Sequence, residues 1–114
     1  MLVLGTPTLS AETYPDFPSL QGTEARSLWL DTCEGCHAYG IAGAPNPKSF
    51  AEWAPRIAKG KSVLYNHALE GFFGAGGTMM PPRGGNDSLT DEEVKLAVDY
   101  MVALAESYGK KNES

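Results

Sequence analysis

The chain has 114 residues with 14 acidic against 9 basic side chains, a formal charge of −5, and two cysteines. That length fits one domain, because single hydrophobic cores are built from about 50 to 200 residues. The acidity argues against unaided binding to nucleic acid or to an anionic membrane surface, and no stretch approaches the ~20 consecutive apolar residues needed to span a bilayer.

Residues 1–11, MLVLGTPTLSA, carry no charge and end in Leu9-Ser10-Ala11, which reads as the tail of a secretory signal. The expectation is export to the periplasm and a mature chain starting at Glu12. Residues 12–22, interrupted by Pro15 and Pro18, read as an extended lead-in. A single folded domain is expected over residues 23–109, with residues 110–114 as a frayed tail.

Within the domain, Ala25, Leu28, Trp29, Thr32, Cys33 and Cys36 recur at helical spacing, which predicts one helix with both cysteines on its buried face. Gly40, Gly43, Pro45 and Pro47 mark a loop. Ser49 with Glu52 is a capping-box start for a short helix through Trp53 that Gly60 ends. Val63, Leu64, Ala68, Leu69 and Phe72 predict a third helix from about Ser62 to Phe73, broken by glycines at 74, 76 and 77. Thr90 with Glu93 is a second capping box, and Val94, Ala97, Val98, Met101, Val102, Ala105 and Tyr108 carry a last helix to about Gly109. Nothing alternates with period two, so the fold class is all-α with about four helices.

Cys33-Glu34-Gly35-Cys36-His37 is the C-x-x-C-H arrangement of covalent haem attachment. Two thiols one helical turn apart can add to the two vinyl groups on one porphyrin edge, and the adjacent imidazole then serves as proximal iron ligand. A thioredoxin-like pair would begin a helix after a strand, whereas this pair ends a helix in a chain without strand patterning. Structural zinc wants four ligands, and only His67 remains among the other Cys and His residues. The cofactor expected is therefore one haem c.

A second constellation runs from Gly74 to Gly85, where Met79 and Met80 precede Pro81 and Pro82 in a glycine-framed loop. Glycines let backbone pass close to a flat ring and the prolines hold the chain extended, so the loop can present a thioether rigidly. Neighbours in an extended segment point to opposite sides, so only one of the two methionines can face an iron.

Through C-E-G-C-H, G-I-A-G-A-P, W-A-P-R-I-A-K-G, M-P-P-R-G-G-N and L-T-D-E-E-V-K-L-A-V-D-Y-M, the chain resembles the class I c-type cytochromes over residues 22–107. Within them it is most similar to the small bacterial cytochrome c-five group. The resemblance implies a class I cytochrome c fold wrapped around one covalently bound haem, with His37 and a loop methionine as axial ligands. It selects Met80, because the liganding methionine of that group directly precedes the Pro-Pro pair. It also implies that the Pro45 carbonyl accepts a hydrogen bond from the second ring nitrogen of His37. The further cysteine pair that many c-five proteins carry after the methionine loop is absent here.

Trp53, Arg56 and Arg83 are candidate donors to the haem propionates, and His67 is an alternative axial ligand. The function implied is that of a monomeric electron carrier, not an enzyme, passing single electrons between redox proteins. The alternatives are the haem subunit of a larger oxidoreductase, or a haem sensor or enzyme with a displaceable methionine. Acidity at Asp87, Asp91, Glu92 and Glu93 suggests a basic partner docking at the start of the last helix.

Overall fold

The computed structural model describes residues 14–21 and 23–113, with the side chains of 75, 112 and 113 left aside. The reading of residues 1–11 as a signal remnant falls outside these residues. The first helix, α1 (24–37), has a π-helical stretch at Trp29–Cys33 between α-helical Glu24–Leu28 and Glu34–His37. It is followed by α2 (Phe50–Ala58), α3 (Lys61–Glu70), β1 (Phe72–Phe73), β2 (Met79–Met80) and α4 (Asp91–Glu113).

The π turn changes what the helical spacing implied. It admits an extra residue, so the stripe rotates partway along the helix. Ala25 and Trp29, at 1% and 0% exposure, face α4, whereas Cys33 is half-buried and Cys36 is exposed. The two cysteines thus turn away from the packed face that they were expected to share.

Packing of α1 on α4 makes the main core, centred on Trp29, Tyr100 and Leu104. Buried aromatics dominate it. Tyr14 and Tyr100 both pack against the Trp29 ring, with centroids 5.1 and 5.8 Å away. Removing a side chain like Trp29 costs about 3 to 5 kcal/mol. The lead-in belongs to this core: Tyr14 is buried, Phe17 lies against Tyr100, and the Tyr100 hydroxyl donates to the Pro15 carbonyl at 2.8 Å. A second cluster joins Ala68 of α3 to Val94, Val98 and Val102 of α4, with Met80 and Leu89 packed on its edge.

The two capping boxes behave differently. At α4 the bond is reciprocal: the Glu93 amide donates to Thr90 Oγ1 at 3.1 Å and the Thr90 amide to Glu93 Oε1 at 2.9 Å. At α2 the Ser49 side chain makes no cap bond, and Glu52 instead accepts from the Asn46 amide. The third helix stops at Glu70 rather than Phe73, because β1 pairs antiparallel with β2 in the register Phe72↔Met80 and Phe73↔Met79. The last helix runs past Gly109 to Glu113, where a tail was expected. Gly109 is a packing position: a Cβ there would lie 2.8 Å from the Phe50 ring of α2.

Candidate functional site

The last turn of α1 brings Cys33, Cys36 and His37 to one wall of a cavity of about 310 Å³. His37 is 6% exposed, and its Nδ1 lies 3.0 Å from the Pro45 carbonyl oxygen. A carbonyl can only accept, so Nδ1 carries the proton and Nε2 keeps its lone pair for a metal. Burial, and secondly the positive charge of Arg56, hold the His37 pKa below its usual value against the opposing pull of the Pro45 bond. The imidazole is therefore neutral at physiological pH, the form that ligates.

Pro45 is aimed by Asn46, a residue the sequence reading passed over. Its Nδ2 donates to the Ala38 carbonyl at 3.1 Å, and its Oδ1 accepts from the Lys48 amide at 2.9 Å. The available signal was the Asn46-Pro47 dipeptide, a turn former. Asn86 plays a similar part beyond the methionine loop, bonding Ser88 within the turn and reaching Thr32 Oγ1 of α1 at 3.5 Å.

Burial, helped by the neighbouring Cys36, pushes the Cys33 thiol up to about 12. A redox pair of the thioredoxin type needs the opposite, a thiol held low by a helix N-terminus. Among the described residues no three His, Cys, Asp or Glu side chains converge to hold a bare metal ion. The donors at this cavity suit an ion that arrives already held in a macrocycle.

The other walls are mainly apolar. Ala97, Val98 and Met101 of α4, Leu64 and Ala68 of α3, and Pro81 line it together with both Met79 and Met80. Met79 is 44% exposed, whereas Met80 is half-buried against the second core cluster. Met101 is a third methionine on the wall that the sequence reading treated as core. Its Sδ accepts from the Trp29 indole N–H at 3.1 Å, which ties the sulfur to the packed side of α4. His67 also lines the cavity, its ring stacked on Phe72.

The expected polar donors are all at this cavity, in different states. The Trp53 indole nitrogen is buried with no hydrogen-bond partner in the protein, which is costly unless a bound group accepts from it. Arg56 donates to the Glu52 carbonyl of its own helix. Arg83 donates to the Leu89 carbonyl at 2.9 Å and to the Asp91 carboxylate, so it braces the entry to α4. An apolar slot, two thiols, an imidazole with a free lone pair and an unpaired buried indole N–H fit a haem.

Helices folded around such a slot, with C-x-x-C-H on its rim, define a class I c-type cytochrome. Residues 21–101 match the family model described as cytochrome C oxidase, cbb3-type, subunit III, and the chain belongs to this family of c-type cytochromes. It is 48% identical over 71 residues to a cytochrome c-555 of Chlorobaculum thiosulfatiphilum, covering 62% of this chain and 81% of that protein. To the cytochrome c-555 of Prosthecochloris aestuarii it is 34% identical over 95 residues, covering 81% of this chain and 96% of that one. A chain in a crystal structure of an electron transfer complex of nitrite reductase with cytochrome c superposes with a TM-score of 0.63. That match is 36% identical and covers 72% of this chain and 94% of the other. The protein is a monohaem electron-transfer cytochrome that carries haem c.

Proposed function

We propose that Cys33 and Cys36 would hold the haem by thioether bonds, that His37 Nε2 and the Met80 sulfur would ligate its iron, and that Trp53 would donate to a propionate. When bound, haem supplies a one-electron couple. The chain's own residues set its terms. Pro45 keeps the proton on His37 Nδ1, so that Nε2 faces the site. A thioether ligand favours the ferrous state and raises the potential, and the walls from α3 and α4 exclude water. The observation that carries this reading is His37, buried and bonded to Pro45, on the same cavity as Met80.

The site of action proposed is the periplasm, where a monomer shuttles electrons between exported redox proteins. No helix among the described residues is long and apolar enough to cross a membrane. The nitrite reductase complex among the structural neighbours makes a one-electron-accepting reductase a suitable partner class. A second reading, a haem subunit of a larger oxidase, is favoured by the description of the matched family. Co-purification from native membranes distinguishes the two. A basic partner could dock near Asp87 and Glu92, since Asp91 and Glu93 are already engaged by Arg83 and Thr90. Transfer rates flat or rising with ionic strength would rule that docking out.

The reading is tested on protein expressed with periplasmic haem attachment. Haem staining must survive a denaturing gel, and the ferric protein must show the weak far-red band of sulfur on iron. Met80→Leu should erase that band and lower the potential, while Met79→Leu should keep it. The reverse pattern would assign the ligand to Met79, and a colourless band on the gel would remove the covalent haem. Prompt carbon monoxide binding to the ferrous form would favour a sensor or enzyme instead.

A further inference from the structure

The chain has two histidines, and the role proposed above uses one. The other, His67, lies on the last turn of α3, half-buried, with its side chain on the haem cavity. Its ring packs on that of Phe72 with centroids 4.2 Å apart and planes 33° from parallel. Phe72 is the cross-strand partner of Met80, and directly paired strand residues have Cβ atoms about 4.5 to 5.5 Å apart. His67 thus packs on the strand partner of Met80, and both side chains line the same cavity. Among the described residues neither ring nitrogen of His67 has a hydrogen-bond partner, in contrast to His37 Nδ1.

The supports of the two side chains differ. Met80 sits on a two-residue strand in a segment where Gly71, Gly76, Gly77, Gly84 and Gly85 all have positive φ. His67 is held in a ten-residue helix packed on α4. A short strand in such a loop opens at low free-energy cost while packed helices stay closed. Imidazole is also a better donor than a thioether to ferric iron, the harder of its two oxidation states.

We propose that His67 is a reserve axial ligand, which takes the sixth position of the ferric iron when the Met80 sulfur leaves it. In that exchange an iron–sulfur bond breaks and an iron–nitrogen bond forms. No electron is transferred, and the imidazole keeps the proton on its other nitrogen. The bis-imidazole form has a lower potential than the His/Met form, so the exchange would withdraw the protein from a high-potential circuit. The inference rests on the haem assignment above.

The test uses ferric holoprotein of the wild type, Met80→Ala and Met80→Ala/His67→Ala, read by absorption and low-temperature electron paramagnetic resonance. Because the haem is covalently attached, all three are readable even if ligation fails. Met80→Ala should be low-spin with a bis-imidazole signature and no far-red band, and the double variant should be high-spin. Added imidazole should bind the single variant about tenfold more weakly than the double, since it must displace an internal ligand. His67→Gln replaces His67→Ala if the latter folds poorly. A high-spin Met80→Ala would overturn the proposal, as would a sulfur band retained from Met79 or a bis-imidazole signature that survives loss of His67. Absence of the far-red band from the wild type alone would overturn the Met80 assignment, while the comparison of the two variants would still decide His67.

Discussion

On the His37 side the cavity is walled by a helix turn and by a loop braced with side-chain hydrogen bonds through Asn46. On the Met80 side it is walled by two two-residue strands and a glycine-rich loop. The first wall is specified locally, since His37 and Pro45 are only eight residues apart. The second is as local in sequence, since Phe72 pairs with Met80 across the same interval, but it is held only by two-residue strands and by apolar packing on α3 and α4. A redox site can therefore have one ligand braced by side-chain hydrogen bonds and another held by a short strand pair and apolar packing.

The largest expected effect comes from breaking the rigid side. His37→Ala should leave no low-spin product in the absorption spectrum, whereas Met80→Leu should yield folded protein with altered potential. Next is the place where the two sides touch. Gly43 has φ +79 and a Cβ there would sit 2.2 Å from Thr78 Cγ2, so Gly43→Val adds strain and overlap together. It should cost about 3 kcal/mol in denaturant unfolding of the holoprotein.

A smaller effect sharpens the asymmetry. Asn46→Ala should cost about 2 kcal/mol by loss of its turn bonds, and Asn86→Ala about 1 kcal/mol, because its reach to Thr32 is long. Equal losses would remove the distinction between the walls.

The smallest effect concerns Tyr65, whose hydroxyl donates to Asp99 and ties α3 to α4. Burial, then the hydrogen bond and charge of Asp99, push its pKa from 10.0 up to about 12. The folded protein keeps a proton that the unfolded chain gives up. This contribution is therefore complete below about pH 10.0 and is lost as pH climbs toward about 12. Tyr65→Phe should cost about 1 kcal/mol at neutral pH and flatten that alkaline loss in pH-dependent unfolding.

The cysteine and histidine triplet, the methionine loop and α4 were legible in the sequence because each depends on near neighbours. The side chains of Thr90 and Glu93 each accept from the other's amide, so their motif suffices. Ser49 and Glu52 form the same motif, but the Asn46 amide captures Glu52. Phe72 and Phe73 read as the end of a helix because an apolar pair has no period, and their strand exists only where Met79 and Met80 return beside them. Gly109 read as a stop because its reason, the Phe50 ring, sits on another helix. The rotation of Cys36 toward the cavity follows from a π turn that leaves no mark in composition.

The Trp29–Met101 hydrogen bond joins positions 72 residues apart, and the segment between them supplies nearly every wall of the cavity. In polymer terms it closes a ring, and the length-dependent part of that closure entropy is about 4 kcal/mol. A prosthetic group bonded near one end of the ring and coordinated partway round would divide this closure into two shorter loops. Loading the cofactor would then act as a topological constraint on the whole chain, stabilising the α1–α4 pairing at a distance from the iron.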